Sequence, residues 1–167
     1  DGHVVIAGYG RVGQLMSGLL DAQGIAWVAI DDRPATAARF HSKGLPVFVG
    51  DAGRAELLRR LGLDAARAVV LTMDQPAAAL HALAALRQEW PALPVLARAR
   101  DEAHAAELRR AGASEVVPET LESALQLGAR VLDTAGLPEE AVARLVELER
   151  GRRQASWSAG GSRREAD

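Results

Sequence analysis

Three glycines at G-x-G-x-x-G spacing, Gly8, Gly10 and Gly13, follow an apolar run at residues 4–7 and open a stretch with helical periodicity. A strand, a glycine turn and a helix in that order make a cradle for phosphate. Gly8 permits the tight turn, Gly10 lets the backbone approach a diphosphate, and Gly13 lets the helix pack close to its strand. Backbone amides around Tyr9, Arg11 and Val12, at the start of that helix, are left to face the anion. About 20 residues further on, such a turn calls for an acidic side chain that accepts from a ribose diol. Asp31 stands there, at the end of the apolar run 27–30, with Asp32 and Arg33 beside it. A carboxylate repels a 2′-phosphate, so Asp31 favours NAD(H), AMP, ADP or ATP over NADP(H). A turn-forming acidic pair ahead of Pro34 is the competing reading.

Further polar residues end the next apolar runs. Asp51 and Ala52 follow one and are expected to border an adenine; Thr72, Met73 and Asp74 follow another and are expected to cover the ribose side. In an open parallel sheet, ligands lie outside the carboxyl ends of the strands, so all five share one rim with Gly10 and Asp31. Helix capping is the other ordinary job for Asp51 and Asp74. Arg98 and Arg100, two residues apart at the end of a later run, point the same way at this rim. They can meet an anion or a partner's carboxylates, or form a solvated pair with Asp101 capping the next helix.

The elements that must position these residues alternate. Short apolar runs at 4–7, 27–30, 46–49, 68–72, 94–97 and 115–117 are separated by stretches with leucines at three- and four-residue spacing, such as Leu15, Leu19 and Leu20, or Leu80, Leu83 and Leu86. Gly24, Gly44, Gly62, Pro91 and Gly112 close the helices. This rhythm predicts an α/β fold, a Rossmann-like doubly wound parallel sheet of six strands. After Val117 it changes into two additional C-terminal helices. The first carries Leu121, Ala124, Leu125, Gly128, Val131, Leu132 and Ala135 on one face and stops at Gly136; the second carries Ala141, Val142, Leu145, Val146 and Leu148. With no seventh strand to cover, they bury these faces across the sheet edge or against another subunit. The expected units are a nucleotide-binding domain at 1–137 that includes an interface helix at 120–136, a helix at 138–150, and a flexible tail at 151–167.

At 167 residues with 49% apolar and 25% charged composition, the chain is long enough for one full core and is neither a disordered tail nor a disulfide mini-protein. No cysteine is present, so thiol nucleophiles, disulfides and Cys-based metal sites are excluded, and no metal site is expected from four scattered histidines. Of 20 basic residues all but Lys43 are arginines, spread along a chain of net charge −2, which gives nucleic-acid binding no support. No apolar run is long enough to span a membrane. The start at Asp1 without a Met, with a strand opening by His3, reads as a piece of a longer protein.

A dehydrogenase needs a group that exchanges a proton with substrate. The only Tyr, Tyr9, lies inside the glycine turn and the only Lys, Lys43, near the end of the second helical segment, so a Tyr–Lys pair is excluded by count. His3 opens a strand, and His41, His81 and His104 fall within helices, where surface or packing roles are the ordinary ones. The expectation is a nucleotide sensed and not consumed. A stand-alone NAD-dependent oxidoreductase and a dimerisation module with a vestigial cleft are the alternatives.

Several blocks in order, residues 3–14, Gly50-Asp51-Ala52, Ala97-Arg98-Ala99-Arg100-Asp101 and Glu119-Thr120-Leu121-Glu122-Ser123-Ala124-Leu125, resemble the RCK or KTN (TrkA-N) regulatory domain of potassium transport systems. The likeness is greatest to the cytosolic domain of Kef-type glutathione-regulated potassium efflux proteins. The resemblance implies a homodimer on the cytoplasmic face of the inner (plasma) membrane, binding AMP or NAD(H) and restraining a cation/proton antiporter domain of the same polypeptide, with an ancillary oxidoreductase as a further partner. It also implies that Arg11 and Arg130 meet glutathione or another anion at the dimer interface. The region after Arg150 departs from the Kef pattern and the chain contains no Asn, which weakens glutathione gating but leaves nucleotide binding intact.

Overall fold

The computed structural model describes residues 2–161. In chain order it contains β1 (Val4–Ala7), α1 (Arg11–Ala22), β2 (Trp27–Asp31), α2 (Pro34–His41), β3 (Val47–Val49), α3 (Ala55–Arg60), β4 (Ala68–Leu71), α4 (Pro76–Glu89), β5 (Val95–Ala99), α5 (Glu102–Arg110), β6 (Glu115–Pro118), α6 (Glu119–Thr134) and α7 (Glu139–Gly161). The six strands are parallel in the order β3-β2-β1-β4-β5-β6. Chain direction across the sheet reverses between β1 and β4, so the switch-point crevice opens beside the glycine turn.

Side-chain alternation divides the core between the two sheet faces. Val5, Ala7, Val69, Leu71 and Val95 pack with Leu58 of α3, Leu83 and Leu86 of α4 and Leu108 of α5, all fully buried. Each Val or Leu among them contributes about 1.5–3 kcal/mol. On the opposite face Val4, Ile6, Trp27, Ala29 and Val47 pack with Ala37 and Phe40 of α2. That second face thins toward β6. Along the paired row Ile6, Val70, Leu96, burial falls from complete to partial, and Val117, paired with Arg98, is exposed.

Three expectations change in the structure. Leu15 and Leu19 are not on the packed side of α1: they are 62% and 58% exposed, because the buried positions of the helix are Gly13 and Ser17, with Met16 and Leu20 half-buried. Of the face expected on α6, only Leu121 and Leu125 are buried, and Val131 is 58% exposed; Leu127, off that face, is 67% exposed. The stretch expected as a flexible tail starts as helix, α7 continuing through residues 151–161, while 162–167 lie outside the described residues. Good helix formers at Arg152, Arg153, Gln154 and Ala155 carry it on, with Arg153 Nε 3.2 Å from Glu149 one turn earlier and Nη1 3.7 Å from Glu102 of α5. Among the described residues no helix is long and apolar enough to cross a membrane.

The two last helices are clamped by charge. Arg150 of α7 forks onto Glu122 of α6 at 2.8 and 2.9 Å and also meets Glu147. Hydrogen bonding to Arg150 holds the Glu122 carboxyl below its ordinary value, against the opposing effect of burial. A depressed carboxyl contributes stability that is full above the unfolded value near pH ~4.3 and is lost as pH falls through the lower folded value. Glu122→Gln is therefore expected to lose about 0.5–1 kcal/mol at pH 7, discounted for the pair's partial exposure. In thermal melts the gap to the parent protein narrows as pH drops below about 4.

Candidate nucleotide-binding site

The turn after β1 is built as its glycines require. Gly8 has φ +104°, a left-handed conformation, and a Cβ there would stand 2.6 Å from Thr72 Oγ1. Thr72 uses that hydroxyl to donate to Gly8 O at 2.6 Å and Ala7 O at 3.1 Å, tying the end of β4 to the turn. Gly13 lies with its α-carbon against the Gly8 carbonyl, where a Cβ would overlap the oxygen. No side chain caps α1; its first turn closes from Gln14 N–H to Gly10 O at 2.9 Å, and Gln14 Nε2 braces Tyr9 O at 3.2 Å. The amides ahead of Gln14 thus project from the helix start beside Gly10.

Asp31, the last residue of β2, is 4% exposed. Its Oδ2 accepts from Tyr9 N–H at 2.8 Å and from Arg33 Nη2 at 3.3 Å; its Oδ1 accepts from Arg33 N–H at 2.9 Å and Nε at 3.2 Å. Burial pushes the carboxyl up, but the Arg33 side chain, the two amides and the Arg33 charge outweigh it and hold it below the ordinary value. Asp31 is therefore ionised throughout the neutral range.

These residues line a cleft of about 920 Å³, a size typical of small-molecule sites. Gly8, Tyr9, Gly10, Arg11 and Val12 form one wall, and Asp31 and Asp32 the end of β2. Asp51 and Ala52 follow β3, while Thr72, Met73 and Asp74 follow β4. Gly13 does not line the cleft; it acts from behind, holding α1 to the turn. Tyr9 takes part through its backbone, since its ring stacks on Trp27 at 5.5 Å and its hydroxyl meets Ser17 Oγ at 2.7 Å in the core. Capping does not claim Asp51 or Asp74: the caps of α3 and α4 are Arg54 and Gln75. Asp51 instead accepts from Gly53 N–H at 2.7 Å and lies 3.4 Å from His81 Nε2. Asp101 does cap α5, accepting from His104 N–H at 2.9 Å.

The arginines separate. Arg98 lines the cleft, donates to Thr72 O at 3.0 Å and pairs with Glu119, the first residue of α6. Arg100 lies beside it in a smaller pocket with Asp74 and Glu119, and Arg130 is exposed on α6, outside the cleft. Sequence reasoning missed Arg39 and Phe40 of α2 and His81 of α4, all cleft-lining, and gave Arg33 no role beyond standing beside Asp31. Their signal is position: α2 and α4 both start at the rim, and His81 in the second turn of α4 and Arg39 and Phe40 at the end of the short α2 stay within reach of it.

The TrkA-N domain profile matches residues 4–119, from β1 to the start of α6. The chain belongs to the TrkA-N domain family. Relatives of this TrkA-N domain include a chloroplastic K(+) efflux antiporter 2 of Arabidopsis thaliana, 41% identical over 90% of the chain and 13% of the plant protein. A glutathione-regulated potassium-efflux system protein KefC of Klebsiella pneumoniae is 35% identical over 80% of the chain and 22% of its own length. The TrkA-N domain thus spans under a quarter of these relatives. Among solved structures, the C-terminal domain of Kef from Shewanella denitrificans in its AMP-bound form superposes with a TM-score of 0.80 at 34% identity, covering 93% of this chain and 95% of that one. The GsuK channel bound to NAD gives 0.70 at 25% identity, covering 78% of this chain and 24% of that one.

Proposed function

We propose that this TrkA-N domain is the nucleotide-sensing regulatory part of a potassium/proton antiporter, binding AMP or NAD(H) in the Gly8–Asp31 cleft and acting on transport through a homodimer. The observation that carries the reading is Asp31, buried and ionised at the tip of β2 and hydrogen-bonded to the glycine turn itself. The AMP-bound Kef domain, alike over nearly the whole chain, supports the ligand class, and the efflux relatives support the transport role and a place on the cytoplasmic face of a membrane.

Chemistry on the ligand is not expected. His3 Nε2 meets Leu61 O at 2.8 Å and His104 Nδ1 accepts from Arg100 N–H at 3.1 Å, so both are tied up in structure. His81 lines the cleft at its Asp51 corner, by the end of β3, with its Nε2 3.4 Å from the Asp51 carboxylate. The sensed ligand has a physical route to the helices instead. Arg98 joins the Thr72 carbonyl, on the cleft wall, to Glu119, which opens α6. Exposed Leu127 and Val131 on α6, Leu145 and Leu148 on α7 and Val117 on the thinly covered sheet face supply apolar surface for a second copy. A ligand moves such an equilibrium only by binding its two arrangements unequally.

The test is sedimentation of the domain with and without AMP. AMP is expected to raise the dimer association constant by about 5- to 150-fold, and Glu119→Gln, which leaves the cleft lining intact, is expected to keep AMP binding and lose most of that rise. A domain whose association is the same with and without AMP refutes the coupling.

A further inference from the structure

Asp31 already has a full set of donors. A carboxylate offers about four lone-pair sites, and four N–H groups occupy them: the amides of Tyr9 and Arg33, and Nε and Nη2 of the Arg33 guanidinium. The amides are fixed by the turn and the start of α2. The guanidinium is not, since its side chain is 63% exposed and caps nothing in α2. A ribose diol brings two more donors to the same oxygens and can reach them only by displacing the guanidinium.

The displaced cation has a destination. Arg33 Nη2 lies 3.5 Å from the point a Cβ on Gly10 would occupy, over the stretch of backbone that glycine leaves open to phosphate. The cleft's other charges set the balance: Arg11, Arg39 and Arg98 face Asp32, Asp51 and Asp74, with Asp32 and Asp74 adding to the field on Arg33. Once off Asp31, Arg33 is a cation beside the phosphate seat.

We propose that Arg33 is a specificity-determining residue of this cleft: its guanidinium plugs Asp31 and transfers to the ligand's phosphate when a ribose diol takes its place, so that the site accepts 5′-ribonucleotides and rejects nucleosides. The inference rests on the nucleotide-binding reading. A nucleoside breaks the Asp31–Arg33 fork and gives the guanidinium nothing in return; a nucleotide replaces it with a charge-assisted bond to phosphate.

The experiment is calorimetric titration of AMP and of adenosine into the parent domain, Arg33→Ala and Arg33→Lys. Arg33→Ala is expected to weaken AMP about tenfold and to tighten adenosine several-fold, because Asp31 is then open to the diol. Arg33→Lys, which keeps the charge without the fork, is expected to recover part of the AMP affinity. Opposite movement of the two ligands is the signature that a loop-holding role for Arg33 would not give. A parent that binds AMP, with both ligands weakened together or both unchanged in Arg33→Ala, overturns the inference and leaves nucleotide binding standing. A parent that binds neither ligand overturns both.

Discussion

Gly13→Ala is expected to destabilise the domain by about 1–3 kcal/mol, a fall in Tm on the order of 2–12 °C for a chain of this size. The sign is the informative part. In an unobstructed helix, exchanging glycine for alanine gains roughly 1 kcal/mol of helix propensity. At Gly13 the new methyl meets the Gly8 carbonyl, which is backbone locked between β1, α1 and the Thr72 hydroxyl, so no side chain is there to swing aside. Overpacking against a fixed atom outweighs the propensity gain. Gly18, five residues along the same helix with nothing within 4 Å of its Cβ position, supplies the control. Gly18→Ala is expected to raise Tm where Gly13→Ala lowers it, and thermal melts of the pair decide the matter. Equal shifts in the same direction would mean that α1 is free to draw back from the turn.

Asp31→Ala is expected to abolish the stabilisation given by AMP or NADH. In the parent protein, ligand at 100 times Kd stabilises by about 2.7 kcal/mol, a rise on the order of 5–10 °C. Hydrogen bonds to a charged acceptor contribute roughly 1.5–3 kcal/mol each, so losing both ribose contacts weakens binding by at least about a hundredfold. The variant is also less stable without ligand, because Tyr9 N–H is left buried without its acceptor. The readout is consequently the ligand-induced shift and not the absolute Tm. Asp31→Asn keeps the volume and one acceptor oxygen but removes the charge, and it is expected to behave like Asp31→Ala toward ligand. A full AMP shift in both variants would place the ribose elsewhere in the cleft.

Much of this site is legible in the chain because the sheet is parallel. In that arrangement every strand ends at the same rim, so Asp31, Asp51, Thr72 and the glycine turn come together once the alternation of runs is recognised. Helix direction is harder to read. Leu15 and Leu19 look like core in a leucine-spaced helix, yet α1 presses against the turn through its smallest residues, and the leucines are turned out by that close approach. Tyr9 reads as a cleft residue from its place inside the motif. The positive φ of Gly8 redirects the chain, and its ring falls among Trp27 and Phe40. The α7 helix outruns its apolar pattern with charge pairs along it and across to α5 and α6, made by Arg150 and Arg153, while residues 151–156 are exposed.

By itself the sequence determined the strand order's raw material, the glycine turn, and the acidic residue that follows the second strand, all of them local patterns read over fewer than about a dozen residues. Only the tertiary structure decided which long side chains complete the cleft. Arg33 arrives from the residue ahead of α2, and Arg39 and His81 from helices whose rotation about their axes depends on how each crossover packs on the sheet. The same holds for Arg98, which spacing leaves open between an anion, a partner's carboxylates and solvent, and which the fold places between the cleft wall and the first residue of α6. A flexible side chain reaches several partners from one backbone position, and the choice among them belongs to the packing around it.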